Sequence, residues 1–165
     1  MYVLAGKIIT THGLKGEVKI RSDFDRKDLI FQVGSKLYLG PQKEEVTVLS
    51  YRVHQGYDMV TLTKIDSLEK AISYKQQEVF IKKEDLDASL VLDVDYLSSK
   101  VYFGSTYLGE VSEITDFGGN NKVFVINGSK RILIPKNEHF IASFDKDHKK
   151  LTLKNVEGLL WELIF

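Results

Sequence analysis

The chain has 165 residues, with 23 basic and 23 acidic side chains, 43% hydrophobic residues and no cysteine. This length suits one ordinary domain or two small ones. The balanced charge argues against nucleic-acid binding through bulk charge alone, and the lack of cysteine excludes disulfides and cysteine-ligated metals. No apolar run approaches the roughly 18 residues of a membrane span. Because the start also lacks a secretory signal pattern, we expect a cytoplasmic protein.

The stretch 2–21 predicts two strands joined by a glycine-containing turn. Tyr2, Leu4 and Ile8 are apolar at about every second position, which predicts that they share one buried face. Four basic side chains lie in or beside the turn: Lys7, Lys15, Lys19 and Arg21. We therefore expect a rigid hairpin with a small basic face. The simpler alternative is the first hairpin of a β-barrel with an ordinary solvated rim.

The rest of the first half predicts a small closed barrel with two short helices. Residues 23–31 predict a helix with Asp25 as N-cap and with Leu29 and Ile30 turned inward. A second helix is predicted over 66–75, starting at Asp66 or Ser67, with Leu68, Ala71 and Ile72 on its inner face. Further strands are predicted at four places: 35–39, 45–54, 57–63 and 78–82.

A stretch without clear periodicity predicts a division into a domain at 1–85, a linker at 86–93 and a domain at 94–165. The second domain again has the pattern of an all-β protein. Its predicted strands are 100–103, 107–117 with a bulge or bend at Gly109, 122–126, 130–134, 140–144 and 151–153. Residues 118–121 predict a turn, and the apolar tail 158–165 predicts a helix buried within the chain.

Several strings resemble the RimM family, the bacterial 16S rRNA-processing proteins that act as ribosome maturation factors. Gly6-x-Ile8 followed by His12-Gly13-Leu14-Lys15-Gly16-Glu17 is similar to the family's N-terminal signature. Weaker matches follow in the family's order over nearly the whole chain: Tyr51–His54, Leu108–Val111, Leu133–Pro135 and Gly158–Leu160. The resemblance implies an all-β fold of two small barrels with short helices, an N-terminal translation-factor-like barrel and a C-terminal PRC-barrel.

The chain also departs from the family at the start of its second domain. The family's paired tyrosines, associated with docking onto the ribosomal subunit, are replaced here by Val91 and Leu92, and Tyr96 is the nearest aromatic residue. We therefore identify the chain as a divergent member. The residues predicted to dock a ribosomal protein are Val91, Leu92, Tyr96 and Tyr102.

The resemblance implies an assembly factor for the small ribosomal subunit. Because the sequence shows no recognisable catalytic or metal-binding motif, we expect no enzymatic activity, cofactor or metal, and we expect a monomer. Its second domain and the interdomain region are expected to hold the small-subunit ribosomal protein number nineteen in the subunit head, and its first hairpin is expected to face the 16S rRNA. The predicted rRNA contacts are His12, Lys15, Lys19 and Arg21. The resemblance implies a chaperoning role, in which binding energy favours one arrangement of rRNA and protein over its rivals.

Two other functions remain open from the residues alone. Asp23, Asp25 and Asp28 could bind a hard cation in a metal-dependent nuclease, although helix capping explains them more simply. The chain could also be a PRC-barrel interaction protein outside ribosome assembly. The four histidines stand apart in the sequence, and none has a second ligand at metal spacing: His12, His54, His139 and His148. No phosphate-binding or nucleophile motif occurs.

Overall fold

A computed structural model describes residues 1–118 and 121–164. The chain divides into two compact units, the first Met1–Leu90 and the second beginning at Val91. The predicted limits 1–85, 86–93 and 94–165 stay predictions. Of the helices in the described part of the chain, none has the length and apolar character needed to cross a membrane.

The first unit is a closed six-stranded barrel with two short helices, as predicted. Its elements are β1 Tyr2–His12, β2 Glu17–Arg21, α1 Lys27–Ile30, β3 Lys36–Leu39, β4 Glu44–His54, β5 Tyr57–Leu62, α2 Leu68–Ile72 and β6 Glu78–Lys82, and a single 3-10 turn, Lys83–Asp85, follows β6. The strands pair in the order β1-β2-β5-β4-β3-β6, and β6 closes onto β1. All neighbouring strands in this barrel are antiparallel. Alternate residues of each strand fill one core, among them Ile8, Val18 and Val60.

Strand β1 contains two bulges that change which of its residues face the core. The pairing register shifts once between Leu4 and Gly6 and again between Ile8 and Thr10. Ala5 and Ile8 are buried, whereas Leu4 is 55% exposed. The prediction that Tyr2, Leu4 and Ile8 share one buried face was therefore wrong, because each bulge adds a residue and reverses the inward–outward alternation.

Both helices of the first unit differ in detail from the prediction. Helix α1 has Arg26 as its N-cap, without a side-chain cap, so the prediction of Asp25 was wrong because the helix starts one residue later. Helix α2 is capped as predicted by Ser67, whose hydroxyl accepts from the backbone N–H of Lys70 at 3.2 Å. The predicted inner position of Ile72 was wrong, because this one-turn helix ends there and leaves the side chain 50% exposed.

The second unit contains one six-stranded sheet and two helices. Its elements are α3 Asp93–Tyr96, β7 Lys100–Phe103, β8 Thr106–Asp116, β9 Lys122–Asn127, β10 Arg131–Pro135, β11 Ile141–Asp145, β12 Lys150–Leu153 and α4 Glu157–Ile164. The strand order is β10-β9-β8-β7-β12-β11, with β7 and β12 parallel. The predicted turn at 118–121 includes two residues outside the described part. Leu160 of the predicted tail helix is buried. The prediction that the side chains of 161–165 are buried lies outside the described part of the chain.

The predicted bulge at Gly109 is confirmed. Val101 pairs with Gly109 and Tyr102 with Tyr107, so Leu108 is the extra residue on β8. Gly109 has φ +136°, and a Cβ built there would lie 2.3 Å from the carbonyl oxygen of Asn127. Only glycine accepts this conformation and this close approach. The bulge buries Leu108 while Tyr107 remains 51% exposed opposite Tyr102.

Helix α3 is capped at its start by Asp95 and is fastened to the sheet by Asp93. The carboxylate of Asp95 is buried and accepts from the backbone N–H of Leu92 at 2.8 Å. Asp93 forms ion pairs with Lys122 and Lys136. The start of the second unit is therefore anchored by paired charges.

Candidate nucleic-acid interface

The β1–β2 turn is held rigidly on the first unit. Gly13 and Gly16 have φ values of +71° and +90°. A Cβ on Gly16 would lie 2.7 Å from the carbonyl oxygen of Ile65, and the backbone N–H of Leu68 donates to the carbonyl of Leu14 at 3.1 Å. The turn therefore packs on the segment before α2 and presents Lys15 to solvent.

The β4–β5 hairpin lies against the β1–β2 hairpin. The guanidinium of Arg52 donates through Nε and Nη2 to the two carboxylate oxygens of Glu17, at 3.0 and 2.7 Å. The rings of His12 and His54 lie 5.9 Å apart between centroids. Lys19 places its Nζ 4.1 Å from the ring centroid of Tyr57. We call this surface the hairpin face, formed by His12, Glu17, Lys19, Arg52, His54 and Tyr57.

The charges of the hairpin face are fixed by Glu17. The hydrogen bonds from Arg52 hold the pKa of Glu17 below its usual range, although burial acts to raise it. The nearby His12 and His54 also lower this pKa. Glu17 therefore stays ionised and orients the Arg52 guanidinium. A planar guanidinium beside imidazole and phenol rings can stack on unpaired bases, and the lysines can contact phosphates.

A buried carboxylate, that of Asp58, connects the β4–β5 hairpin to α1. Asp58 is 2% exposed and accepts a hydrogen bond from the Tyr51 hydroxyl at 2.6 Å. Burial and the bond to Asp58 raise the pKa of Tyr51 to about 12. The second oxygen of Asp58 lies 2.9 Å from Nζ of Lys27 and forms an ion pair with it. This group ties α1 to β4 and β5.

The predicted rRNA contacts fall into two groups. His12 and Lys19 belong to the hairpin face, with Lys15 exposed on the neighbouring turn. Arg21 lies at the far end of β2, opposite Lys7 on β1. Among the side chains that the structure describes, neither Lys15 nor Arg21 forms an ion pair.

Sequence reasoning missed Arg52, His54 and Tyr57 as members of the site. They lie in the predicted strands 45–54 and 57–63, and Arg52 and His54 belong to the string Tyr51–His54 that resembles the family. Their place next to His12 and Glu17 depends on the pairing of β2 with β5, which joins strands from different hairpins. The interpretation that the four histidines stand apart holds only along the sequence, since His12 and His54 meet in space.

The other polar residues considered in the sequence have local partners. Arg26 donates to both carboxylate oxygens of Asp28 and lowers its pKa. His148 contacts Asp145 at 2.8 Å, and His139 packs its ring on Phe140. Within the described residues, no three His, Cys, Asp or Glu side chains are close enough to hold a metal ion.

The four predicted docking residues differ in exposure. Leu92 and Tyr96 are buried, and the Tyr96 ring lies 4.3 Å from that of Phe144 between centroids. Val91 is exposed. Tyr102 is half-buried on the outer face of β7, where its ring lies 5.4 Å from that of Tyr107 and 5.0 Å from Nζ of Lys150.

Comparison with known proteins matches both units. A model of the RimM N-terminal domain matches residues 3–86, and a model of the RimM PRC barrel domain matches residues 93–159. The chain is 35% identical to the ribosome maturation factor RimM of Staphylococcus haemolyticus, over 97% of this chain and 99% of that protein. It is 34% identical to the RimM of Staphylococcus aureus strain NCTC 8325 / PS 47, with the same coverage.

Two solved structures are similar at lower levels. The crystal structure of a RimM protein from Pseudomonas aeruginosa has a TM-score of 0.49 and 21% identity, over 93% of this chain and 97% of that one. The solution structure of the N-terminal domain of RimM from Thermus thermophilus has a TM-score of 0.44 and 15% identity, over 52% of this chain and 94% of that one. The domain models and the relatives above 30% identity carry the assignment: the chain belongs to the RimM family of ribosome maturation factors.

Proposed function

We propose that this protein binds the immature small ribosomal subunit and assists the folding and processing of 16S rRNA without catalysing a covalent step. The observation that carries the rRNA contact is the hairpin face, where two hairpins bring Lys19, Arg52 and two histidine rings together. Family membership supplies the ribosomal context. Binding energy then favours one arrangement of the rRNA over its rivals.

In this proposal the phosphates are contacted by Lys15, Lys19 and Arg21, and the bases by His12. Lysine and arginine contacts to phosphates supply most of the affinity of such interfaces, and stacked rings recognise unpaired bases. Arg52 contributes a guanidinium that Glu17 already orients, so little side-chain entropy is lost on binding. The rigid turn keeps Lys15 at a constant position relative to the face.

The second part of the proposal concerns docking on the ribosomal protein number nineteen of the subunit head. Among Val91, Leu92, Tyr96 and Tyr102, the exposed Val91 and the half-buried Tyr102 offer direct contacts. Tyr107 adds a second tyrosine ring beside Tyr102, and tyrosine is enriched among interface hot spots. We assign Leu92 and Tyr96 the role of holding α3 in place for this contact. The protein acts as a cytoplasmic monomer, with the domains 1–85 and 94–165 joined by the linker 86–93.

The hairpin face is tested with the double variant Lys15→Ala/Lys19→Ala in small-subunit binding over a range of salt concentrations. Each lost phosphate contact lowers the slope of log affinity against log salt by about 0.7, so we expect a decrease of about 1.4. The melting temperature should stay nearly unchanged, because neither lysine is buried. The matched control is Lys75→Ala/Lys130→Ala, which removes two other exposed lysines. Equal losses in both variants would contradict the assignment.

Docking is tested separately, with purified ribosomal protein number nineteen and the full chain. Tyr102→Ala/Tyr107→Ala should weaken this complex at least about tenfold, because truncated hot-spot tyrosines cost on the order of 1–2 kcal/mol or more. Phe117→Ala, which truncates another exposed ring of the second unit, is the control. If the wild-type chain shows no affinity for this protein, the docking partner proposed here is wrong.

A further inference from the structure

The outer face of β1 carries a row of side chains that continues away from the hairpin face. The two bulges turn five side chains outward along the strand: Tyr2, Leu4, Lys7, Thr10 and His12. His12 belongs to the hairpin face, so the row begins there and runs to the N-terminal end of the strand. Its length is about 30 Å at the usual rise of a strand.

The far end of this row is aromatic and cationic. Tyr2 pairs with Lys82 across the β1–β6 ladder, and its ring meets the edge of the Tyr38 ring at 5.3 Å between centroids. The Nζ of Lys82 lies 4.8 Å from the Tyr38 centroid, and the Nζ of Lys43 lies 4.0 Å from that of Phe80. Both lysines also lie within 6 Å of the Tyr2 centroid, at 5.5 and 5.7 Å. Tyr2 is 42% exposed, which leaves its ring accessible.

The middle of the row is a cavity of about 480 Å³ on the same face. Lys7 and Arg21 lie opposite each other in the β1–β2 ladder and both line this cavity, with Leu4 at its edge. Two like charges directly opposite each other destabilise a sheet unless an anion lies between them. Asp23 and Glu78 also line the cavity and partly balance the two cations.

The cations of the row remain available to a ligand. Among the side chains that the structure describes, no ion pair is formed by Lys7, Arg21, Lys43 or Lys82. At the Tyr2 end the nearby acidic groups have other partners, since Glu84 binds the terminal ammonium and Asp85 accepts from the Tyr38 hydroxyl. These carboxylates keep their negative charge. The terminal ammonium holds the pKa of Glu84 below its usual range and Lys82 lies close enough to lower it further, so the cations of the Tyr2 end are partly balanced as well.

We propose that the outer face of β1 is a track for single-stranded RNA, which runs from the hairpin face past Lys7 and Arg21 to Tyr2. Bases stack on Tyr2, and phosphates contact Lys43 and Lys82. Unpaired bases are required, because a ring can stack only on a base that is not inside a duplex. A length of about 30 Å is in keeping with the 4–16 nucleotides that comparable small barrels bind. The inference rests on the proposed function in one respect, that the partner is RNA.

The track is tested in the full-length protein with fluorescently labelled polyuridine RNA as the probe. Tyr2→Ala should weaken binding by about fivefold or more, as expected for one lost base stack, and Tyr2→Phe should bind like the wild type. Lys43→Gln/Lys82→Gln should lower the salt slope by about 1.4, as expected for two lost phosphate contacts. The control is Lys130→Gln/Lys154→Gln, two exposed lysines of the second unit. Melting temperatures verify that each variant is folded.

The outcomes separate this inference from the proposed function. If the variants at Tyr2, Lys43 and Lys82 bind RNA like the wild type while Lys15→Ala/Lys19→Ala binds weakly, the track is wrong and the hairpin face stands. If these variants instead lose affinity for a ribosomal protein and keep their RNA affinity, the face binds protein and the track is also wrong. Loss of RNA affinity in the Tyr2 and Lys43/Lys82 variants, with normal binding by Tyr2→Phe and by the lysine control, supports the track.

Discussion

The two units each have six strands but place their ion pairs differently. The first unit contains paired cations, among them Lys27 and Arg52, beside cations that have no ion pair. In the first unit, cations such as Lys15, Arg21 and Lys43 form no ion pair among the described side chains. In the second unit, three lysines are held by the carboxylates of α3: Lys122, Lys136 and Lys146. The sequence has fourteen basic and twelve acidic residues over 1–85, against nine and eleven over 86–165.

This difference shows why net charge is a poor guide to the binding surface of this protein. The chain as a whole is neutral, yet Lys7 and Arg21, which form no ion pair among the described side chains, lie opposite each other on β1 and β2. In the second unit three lysines are held by the carboxylates of α3, and the rings of Tyr102 and Tyr107 lie side by side on β7 and β8. The first unit is therefore suited to an anionic partner, and the second to a partner that is recognised by aromatic contacts.

The largest expected effect is a loss of stability confined to the second unit. Gly109→Ala forces a Cβ to within 2.3 Å of the Asn127 carbonyl at a φ that alanine resists, so the free energy of unfolding of this unit should fall by about 3 kcal/mol or more. Hydrogen exchange resolved by residue measures this and should leave β1–β6 unchanged. The control Gly104→Ala, with φ +60° and no atom near its added Cβ, should cost only about 1 kcal/mol. Similar costs at both glycines would argue against the bulge as a fixed feature.

A smaller effect is expected when two lysines of the second unit are released from their ion pairs. Asp93→Asn removes the charge that holds Lys122 and Lys136, so the free energy of unfolding should fall by about 1–2 kcal/mol. The two released lysines should also steepen the salt dependence of RNA binding. Glu110→Gln removes an exposed charge from the same sheet and is the control for both measurements. An unchanged stability would mean that the ion pairs of Asp93 contribute nothing to the anchoring of α3.

The smallest effect concerns the pH dependence of the first unit. The pKa of Glu17 is lowered in the folded state by Arg52, so its contribution is present above the ordinary value of 4.5 and is lost as the pH falls through the folded pKa. Between pH 5 and 3 the wild type should therefore lose up to about 1 kcal/mol more stability than Glu17→Gln does. Chemical denaturation at a series of pH values measures this, with Glu69→Gln as the exposed control. Identical pH profiles for the wild type and Glu17→Gln would show that the ion pair is not maintained in solution.

The predicted site was partly accessible from the sequence. The positions of His12, Lys15, Lys19 and Arg21 follow from a glycine turn between two alternating strands, a local signal that can be found by inspection. The neighbouring Arg52 and His54 are far away along the chain, and no local pattern indicates that β5 pairs with β2. The same holds for the track, since the lysines that flank Tyr2 come from β6 and from the turn before β4.

The sequence by itself determined the strands, the turns, the glycine bulge in β8 and the family, because these depend on local alternation, backbone preference and short motifs. Only the tertiary structure decided which faces those strands present. The two bulges of β1 reverse its alternation, so Leu4 and Lys7 face outward together although their spacing is odd. Bulges arise where the curvature of a closing barrel must be relieved, and that curvature is a property of all six strands. The tertiary structure also determines which cations form ion pairs, because ion pairs depend on which strands become neighbours.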